Sequence, residues 1–332
     1  MNHLPPRLLA AALALLAAPA ALAQSTAYTT PVGYVTHEAH ASASTLLALL
    51  VHQSTKAAGS FDIISGTTLT DIHGDFTTAL SDSTPYLVEL RGGMMDGMVL
   101  DVVSFTAHTL TVAETLPAAS DIAYHVRAVP RLSEIIHPLQ PLAVDDFNPD
   151  NGDLILIPSG AGQFDQYYSS SRVNHMGYFN AATGRPEDPL LRYTKAFFYL
   201  RRGAESINFV VSGEVKMEST LLSVTDTFNY LGTVNPSIKL GGISLELSLK
   251  PGTADTADII WLQDAAGDFK RYFYSDGTPP LTVGWRLVNA PAGDENAEQG
   301  EEPIMAGMII QRRASAPYHA LLIPPYGYSN YR

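Results

Sequence analysis

Hydrophobic and polar positions alternate in short bursts along this chain, and Gly, Ser, Asn or Pro interrupts each burst after a few residues. A period of two, with Val, Ile, Thr and Tyr at the apolar positions, predicts short half-buried strands. Between Gln24 and about residue 130 the strands fall in PVGYVTHEA, FDIISGTTLTDI, PYLVELRGGMMDGMVLDVVSFTAHTLTV and IAYHVRAV. In the third, Leu100 alternates with Val102 and Leu110 with Val112, and the break from Thr106 to His108 predicts a hairpin. The run STLLALLVH, Ser44 to His52, fits a helix or a buried strand, because periodicity does not separate the two in a short apolar run.

Beyond Pro130, Pro138 and Pro141 the pattern repeats itself. GDLILIPSGAGQFDQYY, from Gly152, is written again as ADIIWLQDAAGDFKRYF, from Ala257. Asp153 matches Asp258, Gly162 matches Gly267, Phe164 matches Phe269 and Tyr167 matches Tyr272, each pair 105 positions apart. Further on, Ala196 to Gly213 matches Gly307 to Pro324 at an offset of 111, which sets Arg201-Arg202 against Arg312-Arg313. The extra residues are assigned to the polar loop NAPAGDENAEQGEE. Each copy then holds an apolar strand, a glycine turn, an aromatic strand, and a second hairpin whose first strand ends in Arg-Arg. One hairpin alone is marginally stable, so the strands of a copy must form two layers or share a core with the other copy. The expected fold is all-β: a small N-terminal barrel-like domain over 24–130, then two related sandwich-like modules over 131–218 and 219–332, the second with a C-terminal tail. FNYLGTVNP, Phe228 to Pro236, is expected to open the second copy.

Composition changes the picture at the N-terminus. Arg7, the apolar run Leu8 to Ala18 and the small residues Ala21-Leu22-Ala23 make a secretory signal peptide over 1–23, with a mature start at Gln24. That apolar run is shorter than a membrane span, and no later stretch matches its length. The chain has no cysteine, so neither disulfides nor a lipidated cysteine are available, and stability must come from apolar burial. Its net charge of −13 repels phosphate backbones and anionic lipid, which argues against nucleic acid and membrane surfaces and favours divalent cations as partners.

The mature start PVGYVT, the Thr-rich barrel-like segment and the pattern ADIIWLQDAAGDFKRYFYSDGTPPLTVGWR followed by GMIIQRRAS resemble an uncharacterised family of exported β proteins of verrucomicrobial bacteria. The resemblance spans nearly the whole mature chain and implies fold and compartment but no activity. Two features depart from its pattern. The first copy has Pro158 and Ser159 where the pattern favours an aspartate turn, and the second lacks the GEV found at Gly213-Glu214-Val215.

Candidate chemistry is sparse. The Gly-x-Ser-x-Gly elbow of a serine hydrolase is absent, and Ser159 in IPSGAG reads as a turn residue. His37 and His40 flank Glu38 at a spacing of three, one short of the zinc-protease pattern, and the segment reads as strand or loop. In DDFNPDNGD, Asp146, Asn148 and Asp150 alternate like the first ligands of a calcium loop, but the glycine and terminal glutamate of an EF-hand are missing. Calcium there is the one ion expectation; no other cofactor is expected. Tyr167, Tyr168, Tyr272, Tyr274 and Trp285 supply aromatic faces with polar edges for a polysaccharide, though strands favour the same residues for packing. In each Arg-Arg pair only one guanidinium can enter the interior, so Arg201 or Arg202, and Arg312 or Arg313, are expected to meet Asp153 and Asp258 in structural ion pairs. The function expected from this is that of an exported, non-catalytic structural, adhesive or recognition protein, with polysaccharide or other envelope components as partners. The alternative is a glycan-active hydrolase with an Asp/Glu pair between the modules.

Overall fold

The computed structural model describes residues 31–137, 151–160, 162–172, 175–236 and 238–324. The signal peptide and the calcium candidates Asp146, Asn148 and Asp150 lie outside them. The regular structure of the described residues is almost entirely antiparallel β-sheet. In chain order the strands begin with β1 (Val32–Ala39) and β2 (Ser44–Ala48). Six follow close together: β3 (Thr55–Phe61), β4 (Ile63–Thr70), β5 (Tyr86–Arg91), β6 (Val99–Phe105), β7 (Thr109–Ala119) and β8 (Ile122–Ala128). The next five are β9 (Leu154–Gly160), β10 (Gln163–Arg172), β11 (His175–Asn180), β12 (Ala196–Leu200) and β13 (Ile207–Glu214). The last nine are β14 (Thr220–Val224), β15 (Phe228–Gly232), β16 (Ile238–Lys239), β17 (Ile259–Gln263), β18 (Phe269–Asp276), β19 (Val283–Leu287), β20 (Pro303–Ile304), β21 (Gly307–Gln311) and β22 (Tyr318–Leu322).

Two five-stranded sheets carry the repeat. One has the order β11-β10-β9-β12-β2 and the other β19-β18-β17-β21-β15, so every strand has a counterpart at the same place. Registers agree as well: Tyr167 lies opposite Ile155, as Tyr272 lies opposite Ile260. Gly162 and Gly267 hold φ of 78° and 89° at equivalent hairpin turns, a conformation that glycine adopts without strain. Each five-stranded sheet is accompanied by a two-stranded one, β1 with β13 and β14 with β22.

Residues 32–48 therefore hydrogen-bond within the first repeat. β2 pairs with β12 over five residues and β1 with β13 over eight, which moves both strands out of the N-terminal segment expected to end at 130. The ambiguous run from Ser44 begins as strand β2 because β12 supplies a ladder on one side, and Leu49, Leu50 and Val51 continue it as buried chain. The barrel-like part spans β3 to β8, inserted between the second and third strands of the first repeat. In the second repeat the corresponding interval, between β15 and β17, holds only β16 and short turns of helix.

The inserted strands form one six-stranded sheet in the order β3-β8-β5-β6-β7-β4. Its two edge strands are a single ribbon bent at Asp62, so the sheet curls into a half barrel. Phe61, Leu69, Leu90, Leu100, Leu110 and Val126 fill its interior. The expected hairpin forms between β6 and β7, where Thr106 N donates to Thr109 O at 2.9 Å.

A second core runs through both repeats. Phe197 and Tyr199 on β12, Phe209 and Val211 on β13, Leu222 on β14, Ile260 on β17, Met308 on β21 and Leu322 on β22 belong to one contiguous cluster. Alternation along β12 sends Ala196 and Phe198 to the opposite face. There they meet Leu46, Tyr230, Trp261, Phe269 and Ile309 in a smaller cluster between the repeats. Phe164, Phe198 and Tyr230 stand edge to face there, with centroids 5.0 to 5.8 Å apart. Much of the repeated aromatic pattern is thus used to pack one repeat on the other.

Candidate functional site

The aromatic residues expected to face a ligand divide by burial. Tyr167, Tyr272 and Trp285 are 4%, 1% and 2% exposed and sit in the shared core, which corrects the expectation that they present open faces. The cause is register: Tyr167 and Tyr272 fall on the side of their sheets that faces the two-stranded layer. The Tyr167 hydroxyl donates to Glu187 at 3.2 Å, and burial first, then the nearby Glu302, raises the Tyr272 hydroxyl pKa above its usual value. Tyr168 is half-buried and stacks on Phe179 at 5.7 Å. Tyr274 is half-buried, opposite Trp285 in the β18–β19 ladder, with their rings 5.4 Å apart and near perpendicular.

Tyr274 and Trp285 line a groove of about 390 Å³ in the second repeat, together with Glu246, Glu298, Gly241 and Gly300. Its wall is the polar loop to which the repeat offset assigns the extra residues. Glu298 in that loop accepts from Trp285 N at 3.0 Å and Gly300 N at 3.1 Å, and pairs with Arg286 at 2.7 Å. Gly284 has φ of 133°, and a Cβ there would overlap the Glu298 carboxylate, so the loop docks only on glycine. Gly241 N donates to Gly300 O at 2.8 Å, bringing two bare backbones together along the floor. Trp285 Nε1 and Glu246 Oε2 are buried with no hydrogen-bond partner among the described residues. At the equivalent place in the first repeat, Tyr178 lies opposite Ser169 and donates its hydroxyl to Ile136 O at 2.8 Å, so that position is satisfied from within.

The aspartates of the repeat are structural in both copies but by different means. Arg201 is buried and pairs with Asp153 at 2.6 Å, while Tyr199 donates to the same carboxylate at 3.0 Å and the exposed Arg202 gives only its backbone N–H, at 2.7 Å. In the second copy no guanidinium of the described residues reaches Asp258. It accepts from the N–H groups of Lys250, Arg313 and Ala314 and from Tyr318 at 2.7 Å. Arg312 instead donates to the carbonyls of Thr225, Asp226 and Ala314, and Arg313 to that of Asp255. The expected ion pair holds for Arg201 and is replaced for Arg312 and Arg313, because Tyr318 fills the place beside Asp258.

Sequence reading missed the densest cluster of charge. Glu89 on β5, 1% exposed, lies 3.1 Å from Lys216, 3.2 Å from Arg127 and 2.6 Å from the Tyr193 hydroxyl. His52 stacks on Tyr193 at 4.1 Å, and Arg127 also pairs with Glu214. Burial alone would raise the Glu89 carboxyl, but Lys216, Arg127 and His52 outweigh it and hold it well below the usual range. Burial drives the His52 imidazole down to about 3 against the pull of Glu89. Glu89 and Arg127 come from β5 and β8 of the half barrel, while His52 follows β2, Tyr193 precedes β12, Glu214 ends β13 and Lys216 lies just beyond it, so the cluster fastens the insertion to the first repeat. Lys216 sits two residues beyond β13, and sequence held no signal that it turns inward.

Of the histidine pair, His37 is buried against Phe209 at 5.2 Å, and His40 lies 3.5 Å from Glu38. Among the described residues no three His, Cys, Asp or Glu side chains are placed to hold a metal ion. A further groove of about 370 Å³ touches Asp101, Arg192, Lys195 and Tyr230, and its charges pair across it, Arg192 with Asp101 at 2.8 Å. No family model, curated protein or solved structure matches the chain. The Tyr274–Trp285 groove combines aromatic surface, bare backbone and unpartnered polar atoms, and on that geometry it is the candidate site.

Proposed function

We propose that this is an exported, non-catalytic recognition protein of the bacterial surface or extracellular space, and that it binds polysaccharide through the groove of its second repeat. The observation that carries this reading is the pair of buried unpartnered atoms, Trp285 Nε1 and Glu246 Oε2, beside the half-buried ring of Tyr274. A sugar offers apolar C–H faces to a ring and hydroxyls that both donate and accept, which is what these groups lack. The leader over 1–23, the absence of cysteine and the resemblance to exported verrucomicrobial β proteins support the compartment.

The alternative, a glycan-active hydrolase, needs two carboxyl groups free to exchange protons across one bond. Asp153 and Asp258 are each held by several hydrogen bonds, and Glu298 is tied to Arg286 and two backbone amides. Those commitments favour binding over turnover. The test is to screen the purified protein on a polysaccharide array with calcium and with chelator, scoring both retention and released sugar. Retention lost on Tyr274→Ala supports the reading; release of reducing ends from any polymer overturns it.

A further inference from the structure

We infer that the groove selects non-acidic sugars, neutral or amine-bearing, and rejects uronate and sulfated polymers; this rests on the polysaccharide reading above. Three carboxylates line the groove, Glu246, Glu298 and Glu301. Glu298 is neutralised by Arg286, and Glu301 by Lys239. Among the described residues Glu246 has no ion-pair partner and its Oε2 is buried without a hydrogen bond, which leaves its carboxylate uncompensated beside the ligand space. A second anion brought into a partly buried groove is repelled far more strongly than in bulk water, whereas a hydroxyl or an ammonium can donate to the vacant lone pairs.

Trp285 supplies the complementary half. Its indole is 2% exposed and its Nε1–H has no acceptor. A Cβ built on Gly300 would lie 3.7 Å from Trp285 Cδ1, the atom next to Nε1, so the nitrogen-bearing edge of the ring faces the glycine stretch of the groove. Indole nitrogen donates only, so its partner must be an acceptor such as a sugar hydroxyl or ring oxygen. One donor and one charged acceptor along a bare backbone floor fit a ligand with neighbouring groups of both kinds. A uniformly anionic strand satisfies the donor but collides with Glu246. The first repeat has no such site, because its Tyr178 is already bound to Ile136 O.

The experiment is calorimetric titration of the native protein at low ionic strength with three probes: a neutral β-glucan oligomer, a chitosan oligomer and an oligogalacturonate. The neutral or the amine-bearing oligomer is expected to bind and the oligogalacturonate to bind at least tenfold more weakly. Trp285→Phe keeps the ring and removes the donor, and should weaken binding about tenfold. Glu246→Gln removes the charge, and should erase the discrimination against oligogalacturonate while the thermal midpoint stays near native. Should the phenylalanine variant lose its fold, the glutamine variant still decides the matter. Oligogalacturonate binding as tightly as the others, or Glu246→Gln leaving the preference unchanged, overturns the charge selection but leaves polysaccharide recognition standing. No binding of any probe, here and on the array, removes both.

Discussion

Gly307 at the start of β21 lies against Ala196, its own counterpart at the start of β12, and a Cβ built on the glycine would sit 2.8 Å from the alanine Cβ. The two repeats thus touch at equivalent positions, in the cluster where Leu46, Phe198, Tyr230 and Ile309 interdigitate. Such closeness is available only where one partner has no side chain. Gly307→Val is therefore expected to force the repeats apart and cost about 1–3 kcal/mol, as overpacking does in other cores. Urea denaturation measures it, and an unchanged midpoint would show that the contact has room to spare.

The two aspartates of the repeat give a matched test. Asp153 and Arg201 are in direct contact, so the cost of removing both by alanine should fall short of the sum of the single costs by more than about 1 kcal/mol. Asp258 and Arg312 share no direct contact and meet only through Ala314, so the same cycle there should show a clearly smaller coupling. Equal coupling in the two cycles would contradict the different hydrogen bonding seen around the two carboxylates.

The constant offset between Asp153 and Asp258 made the duplication readable, because hairpins are local and their turn glycines need positive φ in both copies. The membership of β1 and β2 was not readable. Their partners, β13 and β12, lie 148 to 182 positions away across the inserted half barrel, and STLLA shares only its fourth residue, Leu47, with FNYLG. Five-residue strands carry too little pattern to reveal a pairing at that distance. The same limit hid the groove. Composition singled out Tyr274 and Trp285, but the loop that walls them in, and the glycine at 284 that admits Glu298, form a groove only through tertiary docking. Tyr167 and Tyr272 misled because a tyrosine on a strand looks alike from sequence whichever face it takes.

The Glu89 cluster should behave as a joint. Glu89→Gln leaves Lys216 and Arg127 facing each other in a buried place without their shared anion, and breaking a buried pair in this way typically costs about 3–5 kcal/mol. Because Glu89 belongs to the inserted half barrel and Lys216 follows β13, the expected signature is loss of amide protection in the insertion before the rest of the chain. Uniform loss across the molecule would mean that the half barrel is not a separable cooperative unit.

Acid sensitivity should come first from two buried histidines. Burial drives the His37 imidazole down to about 4 and His52 to about 3, while the unfolded chain takes up a proton near 6.5. Below pH 6.5 the unfolded state therefore binds protons that the folded state refuses, and stability falls as pH drops. The stabilising difference is complete above 6.5 and is withdrawn down to the folded values, at up to about 1.4 kcal/mol per pH unit for each histidine. Glu89 adds loss in the same direction, but only below the ordinary carboxylate range, so the interval from pH 6.5 to about 4.5 isolates the imidazoles. His37→Phe keeps a ring against Phe209 and removes one of these titrations, and it also removes a buried Nε2 that has no partner among the described residues. Its unfolding free energy, followed by urea titration across that interval, should decline less steeply than the native protein's, leaving the contributions of His52 and of His125, whose imidazole is also held down by burial and then by Arg91. Identical slopes would mean that His37 is protonated in the folded chain, with an acceptor reaching its Nε2.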